Sequence, residues 1–220
     1  MELHEALMTT RAMRRLSDEP VSDATIQRIL RAAVQAPSGG NIQPYQFLVA
    51  TDPDVKGQLA AIYLKAHERY EPAIQAYVPA FKNEEAERRH QRNWAATDHL
   101  ARNLAAVPAM VLVLVPKISM AIEDDEGTMD VGPIYASVYP AVQNLILAAR
   151  NESLGTVLTT VFRIYEDEVR EVCAIPDRFE VVGLLPLGVP VGKWGVAHRR
   201  SPESLTSWNS FGEKRDRIEE

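Results

Sequence analysis

The chain has 220 residues, 46% of them hydrophobic, with one cysteine and a formal net charge of −6. That length supports one domain, or at most two, with a sizeable core, and the acidic balance argues against nucleic acid as the main partner without excluding an anionic cofactor held by local arginines. The lone Cys173 excludes an intramolecular disulfide framework and a Cys-rich zinc site.

The first residues, Met1-Glu2-Leu3-His4-Glu5, lack the basic start and apolar run of a signal peptide. The longest apolar stretch, residues 109–115, is too short to span a bilayer, so the expected location is cytoplasmic and no membrane partner is expected. A short N-terminal helix leads into Thr10-Arg11-Ala12-Met13-Arg14-Arg15. Three guanidiniums so close together suit bidentate recognition of phosphate or paired carbonyl oxygens, although an isolated cluster also reads as a solvated basic face. Ser22 is a plausible N-cap, and Ile26, Ile29, Leu30 and Ala33 recur at helical spacing until Pro37.

That helix delivers Pro37-Ser38-Gly39-Gly40-Asn41-Ile42-Gln43-Pro44. Glycine lets main chain approach a flat ligand closely, while Ser38, Asn41 and Gln43 donate and accept hydrogen bonds. The same residues also make ordinary turns. Residues 45–50 read as the first core strand, and Asp52-Pro53 starts a helix with Val55, Leu59 and Ile62 on one face. Beyond that helix the chain is interrupted by Glu71-Pro72 and Val78-Pro79, and residues 82–92 are densely charged, so residues 68–95 read as a lid or excursion. From about Tyr63 to Trp94 this stretch offers Tyr63, Tyr70, Tyr77, Phe81 and Trp94, which could stack on a planar acceptor or seal the helix layer.

Residues 96–106 look helical, residues 109–115 form a strand buried on both faces, and the acidic run 123–127 reads as a solvated loop. Pro133 opens a central helix with a stripe from Ile134 to Ala149, which Gly155 closes as a C-cap; residues 156–161 continue in β-favouring types. A short helix over 166–173 buries an inert Cys173, and residues 181–188 form another buried strand. The five histidines show no metal-ligand spacing and read as surface or locally hydrogen-bonded residues, with His198 beside Arg199. No dinucleotide fingerprint, Walker loop or serine-hydrolase elbow is present. In the last twenty residues Leu205, Trp208 and Phe211 need somewhere to pack.

Taken in order, the segments around Arg11, Ser38, Thr159 and Arg200 resemble the nitroreductase family of FMN-dependent oxidoreductases over nearly the whole chain. The resemblance implies an α+β, three-layer fold with a central mixed, mostly antiparallel sheet flanked by helices. It implies one FMN-binding domain over residues 1–220, with a lid at 68–95 and a 200–220 tail that wraps a homodimer partner. By the same resemblance Arg11, Ala12, Met13 and Arg14 hold the pyrimidine edge and ribityl phosphate of FMN. Pro37, Ser38, Gly39, Asn41 and Gln43 lie along the ring. Leu158, Thr159 and Thr160 lie near its N5 edge, and Arg200 reaches the phosphate with Arg15 or Arg199 assisting. No metal is implied, and no side chain is an acid, base or nucleophile in the strict sense, since the cofactor carries the chemistry. Arg14 or Arg11 would tune the N1 and C2-carbonyl side, and Thr160 would tune N5.

The expected activity is ping-pong hydride transfer from NADPH or NADH to a nitroaromatic, quinone or similar planar acceptor. The alternatives are a flavin storage or sensor protein without significant turnover, or a reductive dehalogenase-like flavoenzyme. Similarity to iodotyrosine deiodinases is partial: Ala101 stands where that subgroup has a lysine that binds the amino-acid substrate, so recognition of a zwitterionic iodotyrosine does not carry over. Ala12 likewise stands where flavin-fragmenting dimethylbenzimidazole synthases have an aspartate.

Overall fold

The computed structural model describes residues 1–215. In chain order it contains α1 (Leu3–Thr9), α2 (Asp23–Ala33), β1 (Gln46–Ala50), α3 (Pro53–Gln75), α4 (Glu84–Asn103), β2 (Ala109–Pro116), β3 (Ala121–Asp124), β4 (Gly127–Asp130), α5 (Tyr139–Asn151), α6 (Glu166–Val172), β5 (Phe179–Leu187) and α7 (Pro202–Leu205). The main sheet has the order β1-β2-β5, and β3 and β4 form a separate hairpin. Every pairing between these strands is antiparallel. No described helix is long and apolar enough to cross a membrane.

β2 sits in the middle of the sheet and explains the layers. Its alternate residues Met110, Leu112 and Leu114 enter one core with Leu59, Tyr63, Leu100, Leu104 and Phe162 of the α3/α4 side. Val111, Val113 and Val115 enter the other, with Ile26, Ile29, Val142 and Leu145 of α2 and α5. A strand buried on both faces reads as a continuous apolar run because neither side of its two-residue period meets water. Burying each Leu or Val contributes about 1.5–3 kcal/mol, so this strand is the main apolar anchor of the fold. The expected three-layer α+β architecture is what these contacts build.

Two N-caps act as the sequence suggests. Ser22 accepts from the Thr25 N–H at the start of α2, and Asp52 accepts from the Asp54 and Val55 N–H groups at the start of α3.

Other elements depart from the sequence reading. α3 runs through Pro72 without breaking, because the proline lies in its last turns, where the lost intrahelical bond costs least. The charged stretch 84–92 is the first half of α4, supported by Glu84–Arg88 and Glu85–Arg89 pairs at 3.1 and 3.8 Å, four residues apart. The 68–95 region is therefore the tip of a helical hairpin. Residues 123–127 lie in the β3–β4 hairpin, not an open loop. Pro133 introduces a 3-10 turn over Ile134–Ser137 before α5.

The α5 C-terminus is closed by Ser153, not by Gly155. Ser153 takes a left-handed φ of 62°, and the Leu154 N–H reaches back to the Ala149 carbonyl at 2.8 Å. Gly155 serves a different need. A Cβ there would lie 2.8 Å from Met13 Cβ and 2.9 Å from Leu16 Cδ2, so glycine is required for the N-terminal segment to pass. Residues 156–161 do not form a full strand: Gly155 bridges Gly188, and Thr159 bridges Leu184, with 3-10 geometry from Val161.

Candidate functional site

The 10–17 segment is extended and stitched to distant chain. The Met13 N–H donates to the Thr156 carbonyl at 2.9 Å, Ser17 N–H to Val189 at 2.8 Å, and Val191 N–H to the Arg15 carbonyl at 2.8 Å. The Arg11 guanidinium donates to the Lys193 carbonyl at 2.6 Å, which ties this segment to the stretch leading to Arg199 and Arg200. These bonds, with those between Thr159 and Leu184, bring the 11–15 and 154–160 segments together beside β5.

Arg14 is partly buried, and burial pushes its guanidinium below its ordinary value, partly offset by the nearby Tyr63. Tyr63 is fully buried, and its hydroxyl hydrogen-bonds the Thr159 hydroxyl at 2.8 Å. Burial raises the Tyr63 pKa, opposed by that hydrogen bond and by the charge of Arg14. The phenol is therefore neutral at ordinary pH and positions Thr159. The Thr159 main chain is committed on both sides to Leu184, at 2.9 and 3.0 Å, while Thr160 is exposed. Leu158 fills the space that a side chain at Gly183 would need.

Among the described residues, neither Arg11, Arg14 nor Arg15 forms an ion pair with a carboxylate. Cations brought together without carboxylates leave positive charge available to an anion, and a partly buried guanidinium does so most strongly. Met13 is buried and Ala12 exposed. Arg15 takes another direction: it lines a cleft with Ser17, Asp18, His99 and Asn103. Burial first, then the Arg15 charge, depress the His99 pKa. Arg199 donates to the neighbouring His198 carbonyl at 3.1 Å, and Arg200 is exposed.

The 38–43 loop is built on left-handed backbone. Gly40, Asn41 and Gln43 have φ of 54°, 56° and 45°. Two left-handed non-glycine residues, Asn41 and Gln43, on either side of Ile42 store strain that surrounding bonds must hold, a pattern concentrated at ligand clamps. Here the Gly39 N–H donates to Ser137 Oγ at 3.0 Å, the Gln43 N–H to Ser38 Oγ at 3.1 Å, and Gln43 Nε2 to the Asn41 side chain at 3.1 Å. Within one chain the loop is fastened by these contacts and not by a bond to the 11–15 segment. Pro37 and Pro44 flank it, and Ile42 is half exposed.

Unpartnered hydroxyls add to this chemistry. Thr156 Oγ1 and Thr10 Oγ1 are buried without a hydrogen-bond partner, next to the bond from Met13 and at the entry to the arginine segment. Unpaired cations, orphaned hydroxyls and exposed turn amides fit an anionic, multiply polar ligand such as FMN.

Sequence reasoning missed Ser137 and the Tyr63–Thr159 pair. Ser137 is a single polar residue before an apolar helix, and Tyr63 lies 96 positions from its partner. Tyr63 is thus not available to stack on an acceptor, contrary to the lid reading. Ala101, at the slot weighed for a substrate lysine, is buried in the α3/α4 core. His67 is neither on the surface nor hydrogen-bonded. Cys173 is half-buried, and burial raises its thiol pKa, which agrees with an inert thiol.

Comparison with known proteins places this geometry in context. Iodotyrosine deiodinase 1 of Rattus norvegicus is 27% identical over 191 residues, 86% of this chain, which spans only 62% of that relative's length. A NADH dehydrogenase of Thermus thermophilus is 23% identical over 227 residues, covering 94% of this chain and 96% of its own. A crystal structure of oxidized iodotyrosine deiodinase bound to FMN and 3-iodo-L-tyrosine superposes with a TM-score of 0.72 at 22% identity, covering 96% of this chain and all of that one. The sequence model described as Nitroreductase family matches residues 7–189, most of the chain, and the protein belongs to that family.

Proposed function

We propose that the protein is an FMN-dependent NAD(P)H oxidoreductase that reduces nitroaromatic, quinone or similar planar acceptors. The observation that carries this reading is the group of arginines at 11 and 14 with no carboxylate partner, beside the Tyr63–Thr159 pair. Bound FMN would take electrons from NADPH or NADH and release them to an acceptor occupying the same space.

The chain's own residues hold and bias that group. Arg14, with Arg11, answers the negative charge on the N1 and C2-carbonyl side, most effectively because it is partly desolvated. The 38–43 loop offers the side-chain amides of Asn41 and Gln43 to the ring. Leu158 packs beneath it, Tyr63 fixes the Thr159 rotamer, and Thr160 faces the N5 edge. Arg200, assisted by Arg199, neutralises the phosphate. The relatives support the cofactor and donor, since one is named a NADH dehydrogenase and another binds FMN.

The assembly is a homodimer in this reading. Phe211 is fully exposed, Leu205 and Leu7 are mostly exposed, and the 38–43 loop is not bonded to the 11–15 arginines of its own chain. A partner subunit covers such surface and brings loop and arginines together.

An anaerobic titration tests the function. With FMN bound, NADPH or NADH should bleach the flavin within seconds, and a nitroaromatic or quinone should restore its colour. Bound flavin that neither nicotinamide bleaches would overturn the oxidoreductase assignment in favour of storage or sensing. Similarity to iodotyrosine deiodinase favours one second reading, reductive removal of an aryl halide, in which two electrons and a proton replace halide by hydrogen. Halide release from an iodinated phenol in the same assay identifies it.

A further inference from the structure

Away from the arginine segment, on the far part of the α3–α4 pair, a second polar cluster is buried. His67 of α3 has no solvent-exposed surface, and neither of its ring nitrogens has a hydrogen-bond partner. Its Nε2 stands 3.7 Å from Glu71 Oε2, one turn along α3, and 3.5 Å from Asp98 Oδ1 on α4. One ligand atom from each residue lies within 4.8 Å of the others.

We propose that His67, Glu71 and Asp98 form a site for a divalent transition-metal ion of the Zn2+ kind, with its fourth position open to the neighbouring cavity. Imidazole nitrogen with carboxylate oxygens is a donor set suited to Zn2+ and related ions. Bonds of about 2.0–2.2 Å in tetrahedral geometry separate neighbouring ligand atoms by about 3.3–3.6 Å. The two separations from the imidazole fall at or just above that range, and the two carboxylates lie within 4.8 Å of each other, so side-chain rotation alone would close the site.

The surroundings hold the ligands as a metal site needs. Trp94 Nε1 donates to Glu71 Oε1 at 2.6 Å, which leaves Oε2 turned to the imidazole. Arg102 donates to Asp98 Oδ1 and Oδ2 at 3.0 and 3.1 Å, which fixes that carboxylate beside the imidazole and leaves it lone pairs to spare. Glu71 and Asp98 line a cavity of about 570 Å3 together with Gln75, His90, Trp94 and Arg102. His90, stacked on Trp94 at 6.1 Å between centroids, also has a buried, unpartnered Nε2.

A buried imidazole with two unanswered nitrogens is costly to a fold unless something completes it. A cation bridging α3 and α4 would answer Nε2. No residue of the proposed flavin site takes part, so this inference stands or falls separately from that function.

The test uses the full-length protein with its flavin, stripped of metal by a chelator and then titrated with ZnCl2 in a calorimeter. One Zn2+ per chain should bind, the melting temperature should rise, and Co2+ in its place should give the intense visible bands of a four-coordinate site. Asp98→Asn and Glu71→Gln should each weaken the event at least tenfold, and His67→Gln should abolish it. Should the buried histidine variant not fold, the two carboxylate variants decide. Absence of binding up to millimolar Zn2+, or an event of equal affinity in both carboxylate variants, would overturn the site.

Discussion

The 11–15 segment with its neighbours and the His67 cluster between α3 and α4 both leave buried polar groups without hydrogen-bond partners. In the first, guanidiniums gather without a carboxylate, and the neighbouring hydroxyls of Thr10 and Thr156 are buried without partners. In the second, two carboxylates converge on an imidazole whose nitrogens are unpaired. Elsewhere the same hairpin pairs its charges internally, as with Glu84–Arg88 and Glu85–Arg89. An ordinary solvated helix surface therefore looks different from either cluster. Where a fold concentrates one sign of charge and does not balance it, the balancing group comes from outside the chain.

The largest test of that contrast concerns how the first region is built. Gly155→Val should destabilise the protein by about 3 kcal/mol, because the added side chain meets Met13, Leu16 and Pro190. Denaturant unfolding measures it, and a loss below about 1 kcal/mol would show that the 13–16 segment can shift aside. Arg14→Ala comes next. It should weaken FMN binding roughly tenfold to a hundredfold, as for loss of a charged hydrogen bond. The flavin-free variant should melt at or above the parent temperature, since an unpaired, partly buried charge has gone; equal losses of stability and affinity would mean that Arg14 serves the fold.

Tyr63→Phe separates positioning from packing. Deleting the bond to Thr159 should cost about 1 kcal/mol in unfolding experiments while the ring remains buried. No measurable loss would mean that the pair does not form in solution. The smallest effect lies in the hairpin. Asp98 has a folded-state value below its ordinary 3.8, so the stability it contributes is fully present above that value and disappears as pH falls through the lower, folded one. For so exposed a pair with Arg102 the effect is small. Asp98→Asn should therefore be less stable than the parent at pH 7, with the gap narrowing as pH falls below 3.8. A gap that persists in acid would assign the effect to packing.

Much of the frame was legible because it rests on local or periodic signals. β2 and β5 announce themselves as unbroken apolar runs, and Ser22 and Asp52 are caps by residue type. The arginine segment and the Pro37 to Pro44 loop were legible as motifs. Features that depend on long-range meetings were not. Nothing near Tyr63 indicates that it will meet Thr159, nor does the spacing of His67 and Glu71 reveal Asp98 on the next helix. Gly155 was misread because glycine after a helix usually ends it, whereas Ser153 accepts the left-handed turn and Gly155 answers a tertiary contact. Pro72 was misread because a proline near a helix end breaks less than one in its middle. The tail expected over 200–220 is described only to residue 215; its last five positions lie outside the described residues.

The bonds from Met13 to Thr156 and from Val191 to Arg15 also set an order of events during synthesis. The arginines leave the ribosome well before the strand edge that shapes them, which follows at Thr156 and Val191. At about 5–20 residues per second, that wait is about 10 to 35 s. For that interval the nascent chain carries the arginines without the framework that orients them, so an anion they recognise in the folded state would be captured only afterwards.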